Sequence, residues 1–192
     1  MGRRDMVAIF RRSQPGQGSD MDNPFATVIM RCQHALETSD PQGAVEAILL
    51  DAARDPAIIE AVSGCTQFSS LEDLAIHRSE TLTLLAGAMP PGFSVGPHNH
   101  NLWSVVSVCS GQEDNRFFER NGDELSENGE VSVVAPGVLC NDADVIHAVR
   151  NPLDTPLLVL HAYGGDLFAT PRSSWDPETL EEISFDWEKS SS

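Results

Sequence analysis

The chain has 192 residues, which is enough for one domain with a substantial core and too few for two comfortable domains. It carries 29 acidic against 12 basic side chains, a formal net charge of −17, and its single lysine is Lys189. Because this balance repels phosphate backbones and anionic membrane surfaces, the composition argues against nucleic acid and membranes as partners.

The four cysteines are widely spaced and form no CxxC pair, which argues against a zinc ribbon and against a disulfide framework. Near the N-terminus an apolar run of five residues, Met6 to Phe10, is too short for the hydrophobic segment of a signal peptide. No run approaches the length that spans a bilayer. We therefore expect a reduced, cytoplasmic protein.

Residues 1–22 are rich in turn-forming residues and poor in apolar ones, so we expect a flexible tail there. Residues 23–192 are expected to form a single domain that begins with helices over residues 23–65. Apolar residues recur at helical intervals in residues 26–36 and 43–53, in segments rich in alanine and leucine. Two or three helices are predicted.

From residue 66 onward the pattern changes to short segments rich in β-branched residues and separated by Gly, Pro, Asn and Asp clusters. The segments are residues 81–85, 103–109, 130–134 and 156–163. Many short strands at close spacing predict a closed or double-sheet β architecture, such as a jelly roll, over residues 66–170. Residues 171–192 form an acidic C-terminal segment in which we expect a helical turn at residues 177–182.

Three histidines stand out as candidate metal ligands. His98 and His100 form a His-x-His pair in a segment with strand character, where residues i and i+2 project to the same face and can bind one ion. A third imidazole, His147, follows in the run His147-Ala-Val-Arg-Asn151. A mononuclear metal site is therefore the leading hypothesis.

The spacing Gly92-x5-His98-x-His100-x3-Ser104-x6-Gly111 resembles the first motif of the cupin superfamily, whose members are small double-stranded β-helix barrels that bind a metal. Ser104 stands where the family usually has a glutamate ligand. The resemblance implies a mainly β fold, a double-stranded β-helix or jelly-roll barrel with a small N-terminal helical segment.

The second cupin motif is matched by His147 and Asn151, whereas Pro136, Asp142 and Asp144 stand where Gly, Pro and Gly are common. The implied ligand set is three neutral imidazoles, and such a site favours an anionic ligand and leaves coordination positions open.

Cupins with three histidine ligands include the thiol dioxygenases of the cysteine dioxygenase group, and Val159-Leu-His161-Ala-Tyr163 is similar to their Ser-x-His-x-Tyr segment. His161 and Tyr163 match, and Val159 replaces the serine. This likeness implies catalytic roles for Tyr163 and His161. Members that accept amino acids pair the substrate carboxylate with an arginine, and Arg78 lies in a comparable region.

Over residues 24–187 the chain resembles a bacterial group of metal-dependent cupins related to cysteine dioxygenase. The likeness is carried by Gly111-Gln-Glu-Asp-Asn115, by Val145-Ile-His-Ala-Val-Arg-Asn-Pro152 and by the stretch from Tyr163 to Pro177. It implies a divalent metal, with iron(II) favoured and zinc, nickel and manganese left open, and a homodimer.

The function expected from these features is a metal-dependent dioxygenase that oxidises a small thiol or another chelating anion with O2. Two alternatives remain open at this point. One is a non-oxidative metal-dependent cupin, such as a zinc lyase or hydrolase, or a cupin that cleaves a diketone. The other is a non-catalytic small-molecule sensor that uses the barrel as a pocket.

Overall fold

The structure, a computed structural model, describes residues 23–122, 124–176 and 178–185. The tail expected over residues 1–22 lies outside the described residues, as does residue 177 of the expected helical turn. No helix of the described chain is both long and apolar enough to cross a bilayer.

Three helices open the described chain, as the sequence pattern predicts. They are α1 (Ala26–Ala35), α2 (Pro41–Ala52) and α3 (Pro56–Ser63). Prolines begin α2 and α3, and the preceding Asp40 and Asp55 accept backbone N–H groups of the first turn through their carboxylates. A proline at the first helical position is pre-organised for the helix, and an aspartate cap satisfies a free N–H group, so these pairs define both starts.

Eleven strands of the described chain form two antiparallel sheets. They are β1 (Ala75–Arg78), β2 (Thr83–Met89), β3 (Ser94–Asn99), β4 (Ser104–Ser110), β5 (Gln112–Asn121), β6 (Glu124–Val134), β7 (Gly137–Asn141), β8 (Ile146–Arg150), β9 (Leu157–Tyr163), β10 (Ser173–Trp175) and β11 (Glu182–Ser184). The first sheet, which we call sheet A, has the order β1-β2-β9-β4-β7, and the second, sheet B, has the order β11-β10-β3-β8-β5-β6.

The strand order identifies the architecture. When the eight strands from β2 to β9 are counted from one to eight, sheet A contains 1-8-3-6 and sheet B contains 2-7-4-5, which is the order of a jelly roll. The predicted fold class, a mainly β double-stranded β-helix with a small helical segment, is confirmed.

Both faces of sheet A carry apolar residues that pack into a core. The helix-facing core lies between sheet A and the three helices and includes Val45, Leu49, Leu84, Val105 and Leu160. The barrel core lies on the other side and includes Leu85, Met89, Val108, Leu157 and Val159. Adjacent residues along one strand therefore belong to different cores, as the alternation of side chains in a strand requires.

Two glycines that flank the His98–His100 pair, Gly92 and Gly111, have backbone conformations that favour glycine. Gly92 has φ +75° and Gly111 has φ +88°. Gly92 precedes β3 and Gly111 lies between β4 and β5, so both reverse the chain beside a strand of the barrel. Glycine adopts this left-handed region without steric cost, which explains the residue type at both positions.

The C-terminal segment contributes strands to the barrel. β10 pairs with β3 through Ser174 and His98, and β11 pairs with β10. The expected helical turn is shorter than predicted, because residues 178–179 form a turn and Glu182 already begins β11. Asp176 accepts the backbone N–H groups of Glu178 and Thr179 as a cap, and the N–H of Leu180 bonds to the carbonyl oxygen of Asp176, but Leu180 has φ +56° and ends the turn there.

Candidate metal centre

Neighbouring strands of sheet B bring the three histidines together. His98 on β3 lies directly opposite His147 on β8, and His100 follows β3 by one residue. Opposed residues on antiparallel strands have neighbouring side chains. The imidazole centroids are 4.7 Å apart for His98 and His147, 4.9 Å for His98 and His100, and 5.1 Å for His100 and His147.

Each imidazole offers one nitrogen to a common point. The three nitrogens all lie within 4.8 Å of one another, and this group can hold a metal ion. The Nε2 atoms of His98 and His100 are 3.2 Å apart. Two lone pairs repel at this distance, so the pair needs either a proton on one nitrogen or a cation bound by both.

Hydrogen bonds on the far side of two rings direct their lone pairs inward. The Nδ1 of His98 donates to the carbonyl oxygen of Gly96 at 2.9 Å, and the Nδ1 of His147 donates to Oδ1 of Asn115 at 2.8 Å. With the proton on Nδ1, the Nε2 of each ring carries a lone pair. The Nε2 of His147 is buried and has no hydrogen-bond partner among the described residues. This donor set fits a divalent transition metal.

Burial keeps the three rings neutral. Desolvation lowers the pKa of His98 to about 4 and lowers the pKa of His100 and His147 well below the ordinary histidine value. Repulsion between protonated rings lowers the pKa of His100 and His147 further, because a charge on one ring disfavours a charge on the next. Neutral imidazole is the form that binds metal, so these histidines need not lose protons to do so.

Ser104 does not take the place of a carboxylate ligand. It is fully buried on β4, where its Oγ accepts a hydrogen bond from Asn141 Nδ2 at 3.4 Å. Its carbonyl oxygen accepts from Gln42 of α2. The residue therefore joins sheet A to the helices, and the group of possible ligands contains the three histidines alone among the described residues.

His161 and Tyr163 share a face of β9 and line the same cavity as the three histidines. The hydroxyl of Tyr163 lies 3.4 Å from Nδ1 of His161, and its ring lies edge-on to His100 at 4.8 Å. Burial raises the pKa of Tyr163, so the phenol keeps its proton at neutral pH.

The cavity also contains Glu113, a carboxylate for which the sequence analysis has no role. Glu113 lies on β5 and is 3% exposed. Its Oε1 accepts from Nδ2 of Asn115 at 3.1 Å, and its Oε2 lies 3.3 Å from Nε2 of His161. Glu113 and Asn115 share a face near the start of β5, but the polar sequence of this strand gave no signal for them.

Arg150 and Arg172 are the described arginines that line the cavity, whereas Arg78 lies elsewhere. Arg172 lines the cavity beside Tyr163, with its guanidinium 4.1 Å from the ring centroid of Phe185. Arg78 is half exposed and binds Asp166 through both carboxylate oxygens, and its guanidinium stacks over Phe168. Arg78 is not among the described residues that line the cavity. Arg172, and not Arg78, therefore lies at the cavity that contains the three histidines.

No protein-family model matches the sequence, and no curated protein matches it. A double-stranded β-helix protein from Klebsiella pneumoniae is 12% identical, with a TM-score of 0.44, over 64% of this chain and 87% of that one. A cupin superfamily protein from Desulfitobacterium hafniense is 17% identical, with a TM-score of 0.40, over 48% and 74%.

Oxalate decarboxylase from Bacillus subtilis is 24% identical, with a TM-score of 0.39, over 46% of this chain and only 22% of that one. Solved structures similar to this chain thus include cupin superfamily proteins. Because these TM-scores all lie below 0.5, the architecture is identified from the strand order of the two sheets. The observations together describe a double-stranded β-helix with a buried three-histidine group that can hold a metal.

Proposed function

We propose that the protein is a mononuclear metal-dependent dioxygenase, with iron(II) bound by His98, His100 and His147, that oxidises a small thiol or another chelating anion. The observation that carries the proposal is the convergence of three neutral, buried imidazoles, two of which have their Nδ1 atoms bound to acceptors outside the ligand group. Such a set leaves coordination positions for a substrate and for dioxygen.

The metal, when bound, supplies the redox chemistry that lets dioxygen react with the substrate. For a thiol, both oxygen atoms are transferred to sulfur and the product is the sulfinic acid. The protein has to bind the substrate, orient it and exclude water, and each task can be assigned to described residues.

Arg172 is suited to bind the anionic group of the substrate. Its side chain lines the cavity and forms no ion pair with an acidic residue of the described chain. Burial lowers the pKa of Arg172, but an arginine keeps its charge at any physiological pH. A guanidinium at a cavity wall can bind a carboxylate through two parallel hydrogen bonds, which would fix the substrate in one orientation.

Tyr163 is suited to form a hydrogen bond with the bound substrate. Its hydroxyl lies 3.4 Å from Nδ1 of His161. Most of the remaining wall is apolar and includes Leu85, Leu157 and Val159. An apolar wall excludes water, which strengthens the few polar contacts that the substrate makes.

The test combines metal analysis with oxygen uptake. The full chain is purified with and without air, its metal content is measured, and oxygen consumption is recorded with a panel of thiols. We expect about one iron per chain and oxygen uptake with a thiol that carries an anionic group. In His147→Ala, loss of one of three ligands should lower metal affinity by more than about 100-fold and abolish uptake.

The matched control is His34→Ala, which removes an exposed histidine of α1 and should leave metal content and uptake unchanged. Retained turnover in His147→Ala would exclude this site from the reaction. Zinc as the bound metal, with an activity that does not need air, would instead favour a lyase or hydrolase.

A further inference from the structure

We propose that Glu113 is a positioning residue that fixes the tautomer of His161 and, through it, the direction of the Tyr163 hydroxyl. The significance of this for oxygen chemistry rests on the proposed function, whereas the tautomer itself does not. Four contacts around one side of the cavity link His147 to Tyr163 through Asn115, Glu113 and His161.

His161 has no polar neighbour on its own face of β9 except Tyr163. Val159, two residues before it on the same face, offers no hydrogen-bonding group. The Nε2 of His161 is buried and makes no hydrogen bond to the described residues. Leaving a buried polar nitrogen without a hydrogen-bond partner costs stability. The carboxylate of Glu113, on the opposite sheet, is the nearby group that can be this partner.

Glu113 is aimed at His161 by Asn115. The Oδ1 of Asn115 accepts from Nδ1 of His147, so its amide group points the other way and donates to Oε1 of Glu113 at 3.1 Å. The second oxygen, Oε2, lies 3.3 Å from Nε2 of His161, and a small rotation of either side chain aligns them. A chain of contacts thus links the ligand His147 to His161.

The carboxylate decides which nitrogen of His161 carries the proton. An ionised carboxylate only accepts hydrogen bonds, so Nε2 facing Glu113 must be the donor. The Nδ1 then carries a lone pair and accepts the O–H of Tyr163, which lies 3.4 Å away. The lone pairs of the tyrosine oxygen are left for the cavity. In this arrangement the oxygen of Tyr163 can accept a hydrogen bond from an N–H or O–H group of the substrate.

Glu113→Gln reverses this pattern for a geometric reason. The amide oxygen of the glutamine takes the N–H of Asn115, and its NH2 group is turned towards His161. The Nε2 must then accept, which moves the ring proton to Nδ1. Glu113→Asp keeps a carboxylate and so keeps the original tautomer.

The measurement is a long-range proton–nitrogen NMR spectrum of the ¹⁵N-labelled full chain, recorded with zinc as a diamagnetic probe and again after chelation. The signals of His161 are assigned by their loss in His161→Gln. In the wild-type chain we expect a protonated Nε2 and an unprotonated Nδ1. In Glu113→Gln the unprotonated nitrogen should move to Nε2, while Glu113→Asp and the exposed control Glu119→Gln should match the wild type.

A wild-type His161 protonated at Nδ1 alone overturns the inference, and this result needs no variant to fold. The same conclusion follows if Glu113→Gln keeps the wild-type tautomer, or if Gln and Asp change the spectrum alike, because either result makes Glu113 a packing residue. If the tautomers behave as expected and no thiol is oxidised, the proposed function fails and the role of Glu113 stands.

Discussion

The two faces of sheet A differ in what their side chains do. On β9, Leu158, Leu160 and Ala162 face the helices and belong to the helix-facing core, whereas Val159, His161 and Tyr163 face the barrel. The polar groups of the strand therefore lie on one face only. Because successive side chains of a strand point to opposite faces of the sheet, one strand can contribute to stability on one side and to chemistry on the other.

This separation has an energetic reason. Each buried polar group of the barrel needs a partner, as the bonds of His147 to Asn115 and of Asn115 to Glu113 illustrate. The helix-facing core is mostly apolar, and its contribution to stability depends on packed area and does not depend on protonation or metal. Substitutions on the helix-facing side should consequently change stability alone. Substitutions on the barrel side should also change how stability depends on protonation and metal.

The largest effect on stability is expected on the helix-facing side. Leu160 is 1% exposed, and Leu160→Ala should lower the free energy of unfolding by about 2–5 kcal/mol because it leaves a cavity. Metal content per folded chain should not change. Urea unfolding and metal analysis of the same sample check both points, with the partly exposed Leu153→Ala as a control expected to shift stability by less than about 0.5 kcal/mol. Loss of metal in Leu160→Ala would contradict the idea that the two faces of sheet A have separate roles.

The barrel face should make stability depend on pH. The folded pKa of His98 is about 4, below its ordinary value of 6.5, so between these pH values the unfolded chain binds a proton that the folded chain does not. The free energy of unfolding should therefore fall as pH falls from 6.5 to 4, by about 3 kcal/mol for this one group. His100 and His147 add in the same direction.

Urea unfolding of chelated protein across this pH range measures the effect. His98→Gln should have a smaller slope, whereas Leu160→Ala should keep the wild-type slope at lower overall stability. A pH-independent stability between 6.5 and 4 would mean that the folded chain protonates these rings.

The smallest effects are expected for substitutions of the two arginines, Arg172 and Arg78. Arg172→Gln should raise the KM for a thiol carboxylic acid about 10- to 100-fold, because a charged hydrogen bond is lost. It should change the KM for the corresponding thiol alcohol far less. Arg78→Gln removes a half-exposed ion pair and should cost at most about 1 kcal/mol of stability without altering KM. Steady-state oxygen uptake distinguishes them, and equal effects of the two variants would assign no substrate role to Arg172.

The sequence was sufficient to predict the fold class and the three-histidine group. The spacing of His98 and His100 places them at the same end of β3, and His147 belongs to a second motif of the same pattern. The helices were also predictable, because proline and aspartate define their starts locally. The helix starts and the His98–His100 pair depend on short-range patterns that a sequence displays directly, whereas His147 was assigned through the resemblance to the second cupin motif.

Strand β5 could not be predicted for a physical reason. Its sequence is mostly polar and charged, and its deeply buried side chains are Glu113 and Asn115. Their polarity lowers the strand signal because they face the site and not an apolar core. The partners of Glu113 and Arg172 depend on how β5 aligns with β8 and on where the C-terminal segment returns, and such long-range register has no local signature.

Strand β10 covers the edge of β3, the strand that carries His98. An uncovered edge strand offers free N–H and C=O groups to other chains and promotes aggregation. The sheet ends instead at β11, which is three residues long and begins with Glu182, and at β6, which carries Glu124, Glu127 and Glu130. Short length and repelling charge both discourage pairing between molecules. The acidic character of the chain thus protects the two borders of the sheet that holds the histidines.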